Sequence, residues 1–374
     1  MNIDFTDEQK MLTDMVEKFT SRHYDVLKRE AYIKDDKGFS SGNWDILAQT
    51  GLLSIPISED NGGSGGCAAD LISLMQPFGR AVAVEPILAC SIFASHFLCA
   101  AASPAQKETW LPSLLGGSKK IAIAHSEYEA RYDLEYVNTR YTQNGEHYEL
   151  SGHKTFVLGA GDANAYIVSA IPHSAANGHG GAAETESSMR FFLVKASDKK
   201  LSQRPYRLTD GSVACELNLQ GAQGELLEAG RFETFRRSVA YTKIGACAEM
   251  VGLAELLFNA TVEYVKTREQ FGRPLAKFQV IQHRLSDAYA KLELTRSHLL
   301  NLASLDPEDK RYHKTICGTK AYISKIALDI AEEAVQLHGG MGVSNEMLIG
   351  QALKRLLVLT TLLGNINTEM QSYA

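Results

Sequence analysis

The spacing of apolar residues changes twice along this chain of 374 residues, and those changes constrain the fold more than any motif does. Near the N-terminus, Leu12, Met15, Val16 and Phe19 recur at helical spacing. After Gly116-Gly117, short strand-like runs such as Ile121-Ala-Ile-Ala follow one another. Helical spacing returns near Phe232. The pattern therefore predicts a helical region, then a β region, then a second helical region.

We expect an α+β protein with an N-terminal α-helical domain (1–115), a central β-barrel or sandwich domain (116–231) and a C-terminal antiparallel four-helix bundle (232–374). Asn144-Gly145 is a hairpin signal within the β domain. The stretch 173–188 is rich in Gly, Ala and Ser and predicts an exposed, mobile loop. An apolar helix is expected over 81–99, and bundle helices are expected over 240–266, 279–302, 312–338 and 345–363.

Composition narrows the function classes. The chain has 38 Lys+Arg and 44 Asp+Glu, a net charge of −6, which argues against a nucleic-acid binder or a polybasic membrane anchor. No charge-free apolar run is long enough for a membrane span, and the acidic N-terminus does not resemble a signal peptide. The six cysteines lack ligand spacing, so no metal site is expected. These features predict a cytoplasmic protein.

One candidate site lies where the long helix 240–266 ends. The sequence there runs from Lys266 to Gln279 and contains Gly272 and Pro274, which break a helix. A break of this kind presents Arg268 as a fork-shaped donor for a phosphate or carboxylate. Phe271 offers an aromatic edge, and Gln279 offers an amide near a helix start. Spacing alone favours the other interpretation, a helix–helix corner with a surface arginine.

A second candidate site is the segment Gln336-Leu-His-Gly339-Gly340-Met-Gly342. Glycines allow a ligand to approach the backbone closely. A glycine-rich helix C-terminus would have the same sequence. The residue pattern by itself leaves both interpretations open.

Taken together, these segments resemble the acyl-CoA dehydrogenase family. The likeness extends over nearly the whole chain and is carried by Arg268-Glu-Gln-Phe271-Gly272 with Phe278-Gln279, by the distant Gln336 and Gly339-Gly340, and by Trp44, Gly62-Gly-Ser-Gly65 and Gly152-His-Lys154. It implies an FAD enzyme acting on acyl-CoA thioesters, with electron-transfer flavoprotein or a similar acceptor. The cofactor-binding residues that it implies are Arg268, Phe271, Gln279, Gln336, Gly339, Gly340, Ser126, Asn365 and Asn367.

The chain departs from the family where the catalytic base should be. The family's glutamate, followed by Gly-Thr, falls at Leu363, and an alternative family position falls at Thr242. Leucine has no proton to exchange, and threonine is too weak a base at neutral pH. Glu249 lies on the same helix face as Thr242 but about 10 Å further along the axis. A structural acid paired with a base is the favoured interpretation of Glu249.

The flavin-ring contacts differ as well. A family loop rich in small residues becomes Ser126-Glu-Tyr-Glu-Ala130-Arg-Tyr-Asp133, and a family hydroxyl is replaced by Leu158. These departures resemble the small subunits of heteromeric pimeloyl-CoA and steroid-CoA dehydrogenases. That resemblance implies an α2β2 heterotetramer in which a catalytic partner subunit carries the base. The alternatives are a homo-oligomeric dehydrogenase with a relocated base and a CoA-thioester-binding protein without redox activity.

Overall fold

A computed structural model of the chain describes residues 5–145, 147–174, 188–344 and 346–374. Its α-helices are α1 (Asp7–His23), α2 (Val26–Lys34), α3 (Ser41–Gln49), α4 (Ala68–Arg80), α5 (His96–Ala101), α6 (Pro104–Leu115), α7 (Phe232–Thr267), α8 (Gln279–Ala303), α9 (Tyr312–His338), α10 (Leu348–Thr361) and α11 (Ile366–Tyr373). Its strands are β1 (Ile121–Ala124), β2 (Arg140–Asn144), β3 (His147–Leu158), β4 (Ala165–Pro172), β5 (Arg190–Lys195), β6 (Leu201–Arg207), β7 (Val213–Leu226), β8 (Glu269–Gln270) and β9 (Arg273–Pro274). The expected order of helical, β and helical regions is confirmed.

The N-terminal helices begin where the sequence provides caps. The Thr6 hydroxyl accepts a hydrogen bond from Gln9 N, and the Gln9 side chain accepts one from Thr6 N, which completes a capping box. The prediction of one helix over 81–99 was wrong in detail, because a nine-residue π-helix, Ile87–Ser95, leads into α5. Val82 has φ 52°, which interrupts the helix after α4.

The central sheet closes into a barrel. Strands pair in the order β4–β2–β3–β7–β5, and β5 returns to pair antiparallel with β4. The hairpin expected at Asn144-Gly145 joins β2 to β3, with Asn144 opposite His147. The sequence did not predict β6, whose exposed residues and Pro205 obscure its pairing with β7. Buried Tyr166, Phe192 and Leu217 contribute to the core within this sheet.

The C-terminal helices follow the sequence pattern closely. Helix α9 has the predicted bounds, whereas α7 begins at Phe232, earlier than expected. The predicted 345–363 helix ends at Thr361, because Leu363 has φ 55°, outside the helical region. Asn345, where that helix was expected to begin, and most of the predicted 173–188 loop lie outside the described residues.

Contacts group the chain into two compact units. The first comprises Met1–Ala31, Cys67–Ala83 and Lys243–Ala374, and the second comprises Tyr32–Gly66 and Val84–Thr242. In the first unit, α9 packs against α8, α10 and α11. Of the described helices, α7 alone is long and apolar enough to cross a membrane. The most apolar 18-residue stretch of α7 is 78% buried inside the protein, as is usual for a core helix.

Two histidines of the second unit, the buried His125 and the half-buried His96, have lowered pKa values. His96 Nδ1 lies 2.9 Å from Ser238 Oγ, and His125 Nδ1 lies 3.0 Å from Ser169 Oγ. Burial lowers the pKa of His96 to about 4. Burial, reinforced by the Lys154 charge, lowers the pKa of His125 to about 3. The unfolded chain therefore binds these protons near pH 6.5, where the folded chain does not.

We predict that the free energy of unfolding is fully present above pH 6.5 and falls as the pH drops toward these folded pKa values. At pH 5, His96 and His125 should each lower the free energy of unfolding by about 2 kcal/mol. Urea unfolding at pH 7.5 and pH 5 measures the loss, and His125→Gln should reduce it. The exposed His283→Gln is the matched control and should leave the loss unchanged. An equal loss in all three proteins would contradict the prediction.

Candidate functional site

A short hairpin follows helix α7 and projects from the first unit. Strands β8 and β9 pair Gln270 with Arg273, so that Phe271 and Gly272 form the two-residue turn. Both turn residues have positive φ, 54° and 78°, as a type I′ turn requires. The Phe271 side chain is 91% exposed. Its positive φ is a strained backbone conformation for a phenylalanine. Strain and exposure of this kind are typical of a binding element.

Arg268 stands at the base of this hairpin. Its backbone N–H donates to Tyr264 O at 2.8 Å, and its carbonyl accepts from Leu275 N at 2.9 Å, so its backbone is fixed. Its side chain is exposed, and among the described residues the guanidinium has no hydrogen-bond or ion-pair partner. By contrast, the neighbouring Lys266 ammonium lies 2.7 Å from a Glu263 carboxylate oxygen. The fork of N–H donors on Arg268 is therefore available to an anion.

The end of α9 lies beside the end of α7. The rings of Tyr264 and His338 stack with centroids 4.2 Å apart, and Tyr264 OH donates to His338 O at 3.4 Å. Because Tyr264 is one helical turn before Arg268, this stack joins the C-terminal end of α9 to the last turn of α7. The structure thus brings together two of the segments that the sequence singled out.

The end of α9 has room for a ligand. A Cβ built on Gly339 or Gly340 would meet no atom within 4 Å, and both glycines are exposed. The buried Nε2 atom of His338 has no hydrogen-bond partner among the described residues. The Gln336 and Gln279 side chains are exposed and, within the described part of the chain, likewise form no hydrogen bond. Open backbone, free amides and a free guanidinium fit the phosphate and adenine groups of a dinucleotide.

The two sequence positions expected for a base carry no free acid. Leu363 is half-buried on a turn with φ 55°. Thr242 is buried, and its hydroxyl donates to Ser238 O at 2.7 Å. The Glu249 carboxylate is only 2% exposed and accepts two hydrogen bonds from Arg355, at 2.6 and 3.1 Å. Glu249 is therefore buried and paired with an arginine, and a purely structural role for it stays a prediction.

The segment after Leu363 is organised as a helix start. Asn365 caps α11: its Oδ1 accepts from Thr368 N at 3.0 Å, while its own N–H donates to Thr368 Oγ1. Its cap role accounts for the side-chain oxygen, and only the amide nitrogen is left for a ligand. Asn367 is exposed on the first turn of the same helix. A cofactor role for these two residues stays a prediction.

A buried polar network in the second unit holds the loop that begins at Ser126. Lys154 Nζ, fully buried, donates to Glu127 Oε1 at 2.7 Å and to Ser169 Oγ at 2.9 Å. Glu127 also accepts from Thr139 N and Oγ1. Burial alone would raise the pKa of Glu127, but the Lys154 ammonium and these hydrogen bonds lower it. The sequence singled out Lys154 only as part of a motif, because Glu127 is 27 positions away.

Bulky side chains follow along this loop. Ser126 is half-buried, and its carbonyl accepts from Thr155 N at 2.9 Å. Arg131 has φ 53°, a backbone conformation that glycine adopts at lower cost. Tyr128 and Tyr132 are exposed. Large side chains thus stand where the resemblance leads us to expect small residues.

Comparison with known proteins agrees with this architecture. Residues 6–118, 122–221 and 232–374 match the family models described as acyl-CoA dehydrogenase, N-terminal domain, middle domain and C-terminal domain, respectively. Over 365 residues the chain is 26% identical to the probable acyl-CoA dehydrogenase YngJ of Bacillus subtilis (strain 168). That match covers 95% of this chain and 93% of YngJ.

Solved structures share the fold over nearly the full length. A variant of the Tcur3481-Tcur3483 steroid ACAD has a TM-score of 0.86 at 25% identity, covering 98% of this chain and 96% of that chain. The ChsE4-ChsE5 complex from Mycobacterium tuberculosis has a TM-score of 0.88 at 22% identity, covering 99% and 97%. With three consecutive domain matches over most of its length, the chain belongs to the acyl-CoA dehydrogenase family, whose members bind FAD.

Proposed function

We propose that this chain is the subunit without the catalytic base in a heteromeric, FAD-dependent acyl-CoA dehydrogenase that introduces an α,β double bond into a CoA thioester. The observation that carries the proposal is a contrast within the first unit. Arg268 is exposed and without a partner among the described residues, whereas Glu249 is buried and bound on both oxygens by Arg355. Among the described residues, Arg268 is available to a cofactor, whereas Leu363, Thr242 and Glu249, the three positions considered for a base, offer no free acid.

The chain's own residues would bind the adenine dinucleotide part of FAD. The Arg268 guanidinium would donate to phosphate oxygens, and the Gln279 and Gln336 amides would supply further hydrogen bonds. The open backbone at Gly339 and Gly340 would let the ligand approach closely. When bound, the flavin accepts the hydride that leaves the β carbon of the thioester. The large side chains of the Ser126–Asp133 loop agree with a flavin site that is completed by a partner subunit.

Removal of the α proton would fall to that partner. A thioester α proton is a weak acid, and its transfer requires a positioned base within hydrogen-bond reach. Leu363 has no acid–base group, and the Thr242 hydroxyl donates to a backbone carbonyl. Two solved relatives of this fold are described by pairs of proteins, the Tcur3481-Tcur3483 steroid ACAD and the ChsE4-ChsE5 complex. They support a heteromer. The acceptor that we propose is electron-transfer flavoprotein or a similar protein.

The proposal predicts that the chain alone will not reduce an electron-accepting dye with any acyl-CoA. Loss of acid–base assistance costs roughly 10²–10⁴ in rate. A partner chain with a glutamate before its Gly-Thr motif should restore turnover, and Glu→Gln in that partner should abolish it. Dye reduction with straight-chain, dicarboxylic and steroid CoA esters measures this. The chain alone should also retain less than one FAD per chain after desalting.

Other outcomes of that experiment identify the alternatives. Robust turnover by the chain alone, with a full complement of FAD, would establish a homo-oligomeric dehydrogenase with a relocated base. Thioester binding without flavin, with or without a partner, would establish a protein that has no redox activity.

Arg268→Ala is predicted to weaken FAD retention by the assembled complex by about tenfold or more. A charge-assisted hydrogen bond to a phosphate contributes roughly 1.5–3 kcal/mol. The matched control is Lys266→Ala, which removes an equal charge from a residue already paired with Glu263. Titration of apo-complex with FAD, followed by flavin fluorescence, measures both variants. Equal affinities in the two variants would mean that Arg268 acts through net charge alone and that its assignment is wrong.

Glu249→Gln is predicted to lower stability and to leave turnover of the complex largely intact. Breaking a buried ion pair leaves an unpaired charge and costs roughly 3–5 kcal/mol. The control Glu263→Gln breaks an exposed pair and should cost no more than about 1 kcal/mol. Urea unfolding and dye reduction are measured on the same samples. Loss of turnover at unchanged stability would instead make Glu249 the base.

A further inference from the structure

Three buried ionisable side chains meet beneath the turn that carries Leu363. Lys243 on α7 and Lys320 on α9 both face Glu369 on α11, and we call these three residues the two-lysine cluster. Lys243 Nζ lies 2.8 Å from Glu369 Oε1, and Lys320 Nζ lies 3.6 Å from the same atom. Each side chain is at most 8% exposed. The cluster ties three helices together through paired charges.

The cluster also holds the backbone of the turn. Lys320 Nζ donates to Gly364 O at 2.6 Å, a buried hydrogen bond between α9 and the residue after Leu363. A Cβ built on Gly364 would lie 2.3 Å from Glu369 Oε1. Gly364 has φ 134°, which other residues rarely adopt. The turn therefore rests directly on the Glu369 carboxylate and is pulled toward α9 by Lys320.

Such support is needed because Leu363 has an unfavourable conformation. A leucine with φ 55° costs free energy and persists only where its surroundings enforce it. On the other side of the turn, the capping box of Asn365 fixes the start of α11. Residue 363 is thus held between a capped helix and a buried hydrogen bond. Two separate interactions, the Asn365 cap and the Lys320 hydrogen bond to Gly364, therefore fix the backbone on either side of Leu363.

The cluster itself is unsuited to proton abstraction. Glu369 is 1% exposed and is ion-paired with two lysines, so its carboxylate is closed to substrate. Burial lowers the pKa of Lys320, but its ammonium lies between Glu369 and the Gly364 carbonyl and points into the protein. Any effect of the cluster on chemistry must therefore act through the turn.

We propose that Lys320 and Glu369 are positioning residues that hold position 363 in the conformation of a base-bearing turn, so that one substitution, Leu363→Glu, would give this chain a working base. This inference rests on the proposed function in one respect, the correspondence of Leu363 with the family's base position. In this view the turn is held by Lys320 and Glu369 whichever side chain stands at position 363.

The test compares Leu363→Glu with its uncharged isostere Leu363→Gln in the full chain. The readout is exchange of the α proton of octanoyl-CoA with D2O, followed by proton NMR, which needs neither turnover nor a partner. We expect exchange at least 10²-fold faster with Leu363→Glu than with Leu363→Gln. Adding Glu369→Gln or Lys320→Met to Leu363→Glu should reduce exchange at least tenfold at unchanged octanoyl-CoA affinity. Equal exchange by the Glu and Gln variants, or no effect of the added substitutions, would overturn the proposal.

Hydrogen–deuterium exchange of the backbone keeps the proposal testable where a double variant folds poorly. Glu369→Gln alone should speed amide exchange at 362–366 at least tenfold and spare helix α8. The matched control is Glu255→Gln, because Glu255 is a buried carboxylate held by two arginines, Arg80 at 2.8 Å and Arg296 at 2.7 Å. Glu255→Gln should not change exchange at 362–366. A uniform increase along all helices in Glu369→Gln would show a structural role only and would overturn the proposal.

The two proposals fail separately. Turnover by the wild-type chain alone would refute the heteromeric function but would not change the comparison of Leu363→Glu with Leu363→Gln. A functional complex whose Leu363→Glu chain does not exchange the α proton would refute only the proposal that Lys320 and Glu369 position residue 363.

Discussion

A charge removed from water must find an opposite charge or a full set of hydrogen bonds, and this constraint organises both compact units. In the second unit, Lys154 and Glu127 satisfy each other beneath the Ser126 loop. In the first, Glu249 is bound by Arg355, and Glu369 is shared by Lys243 and Lys320. An unpaired ion at any of these positions would cost several kcal/mol. These buried pairs therefore join distant segments of the chain to one another.

The same constraint separates structural acids from catalytic ones. A general base must be within reach of its substrate and must have a free lone pair. The carboxylates of Glu249 and Glu369 are buried in ion pairs with Arg355 and Lys243, and position 363 carries a leucine. Arg268 is the opposite case, because it is exposed and has no partner in the described part of the chain. The distribution of partners, more than the presence of any residue type, supports a role in cofactor binding over a role in proton transfer.

Backbone strain is present at both places where function is proposed, as it also is at Val82, Arg131 and Phe156. Phe271 and Leu363 both have positive φ, and neither is a glycine. Phe271 is held by the register of a two-residue hairpin, and Leu363 by Lys320 and the cap of α11. Phe271 is exposed, and Leu363 is half-buried on its turn. Strain persists at both positions because neighbouring interactions enforce it.

The sequence by itself determined the order of helical and β regions, the bounds of α9 and the family, because periodicity and motifs are local signals. Only the tertiary structure decided what each charged residue does. Glu249 meets Arg355 across 106 positions, Lys243 meets Glu369 across 126, and Lys320 reaches Gly364 across 44. Pairing over such separations leaves no periodic trace in one sequence, since it depends on which helix faces come to lie together. The availability of Arg268 and the support of Leu363 are therefore properties of the fold.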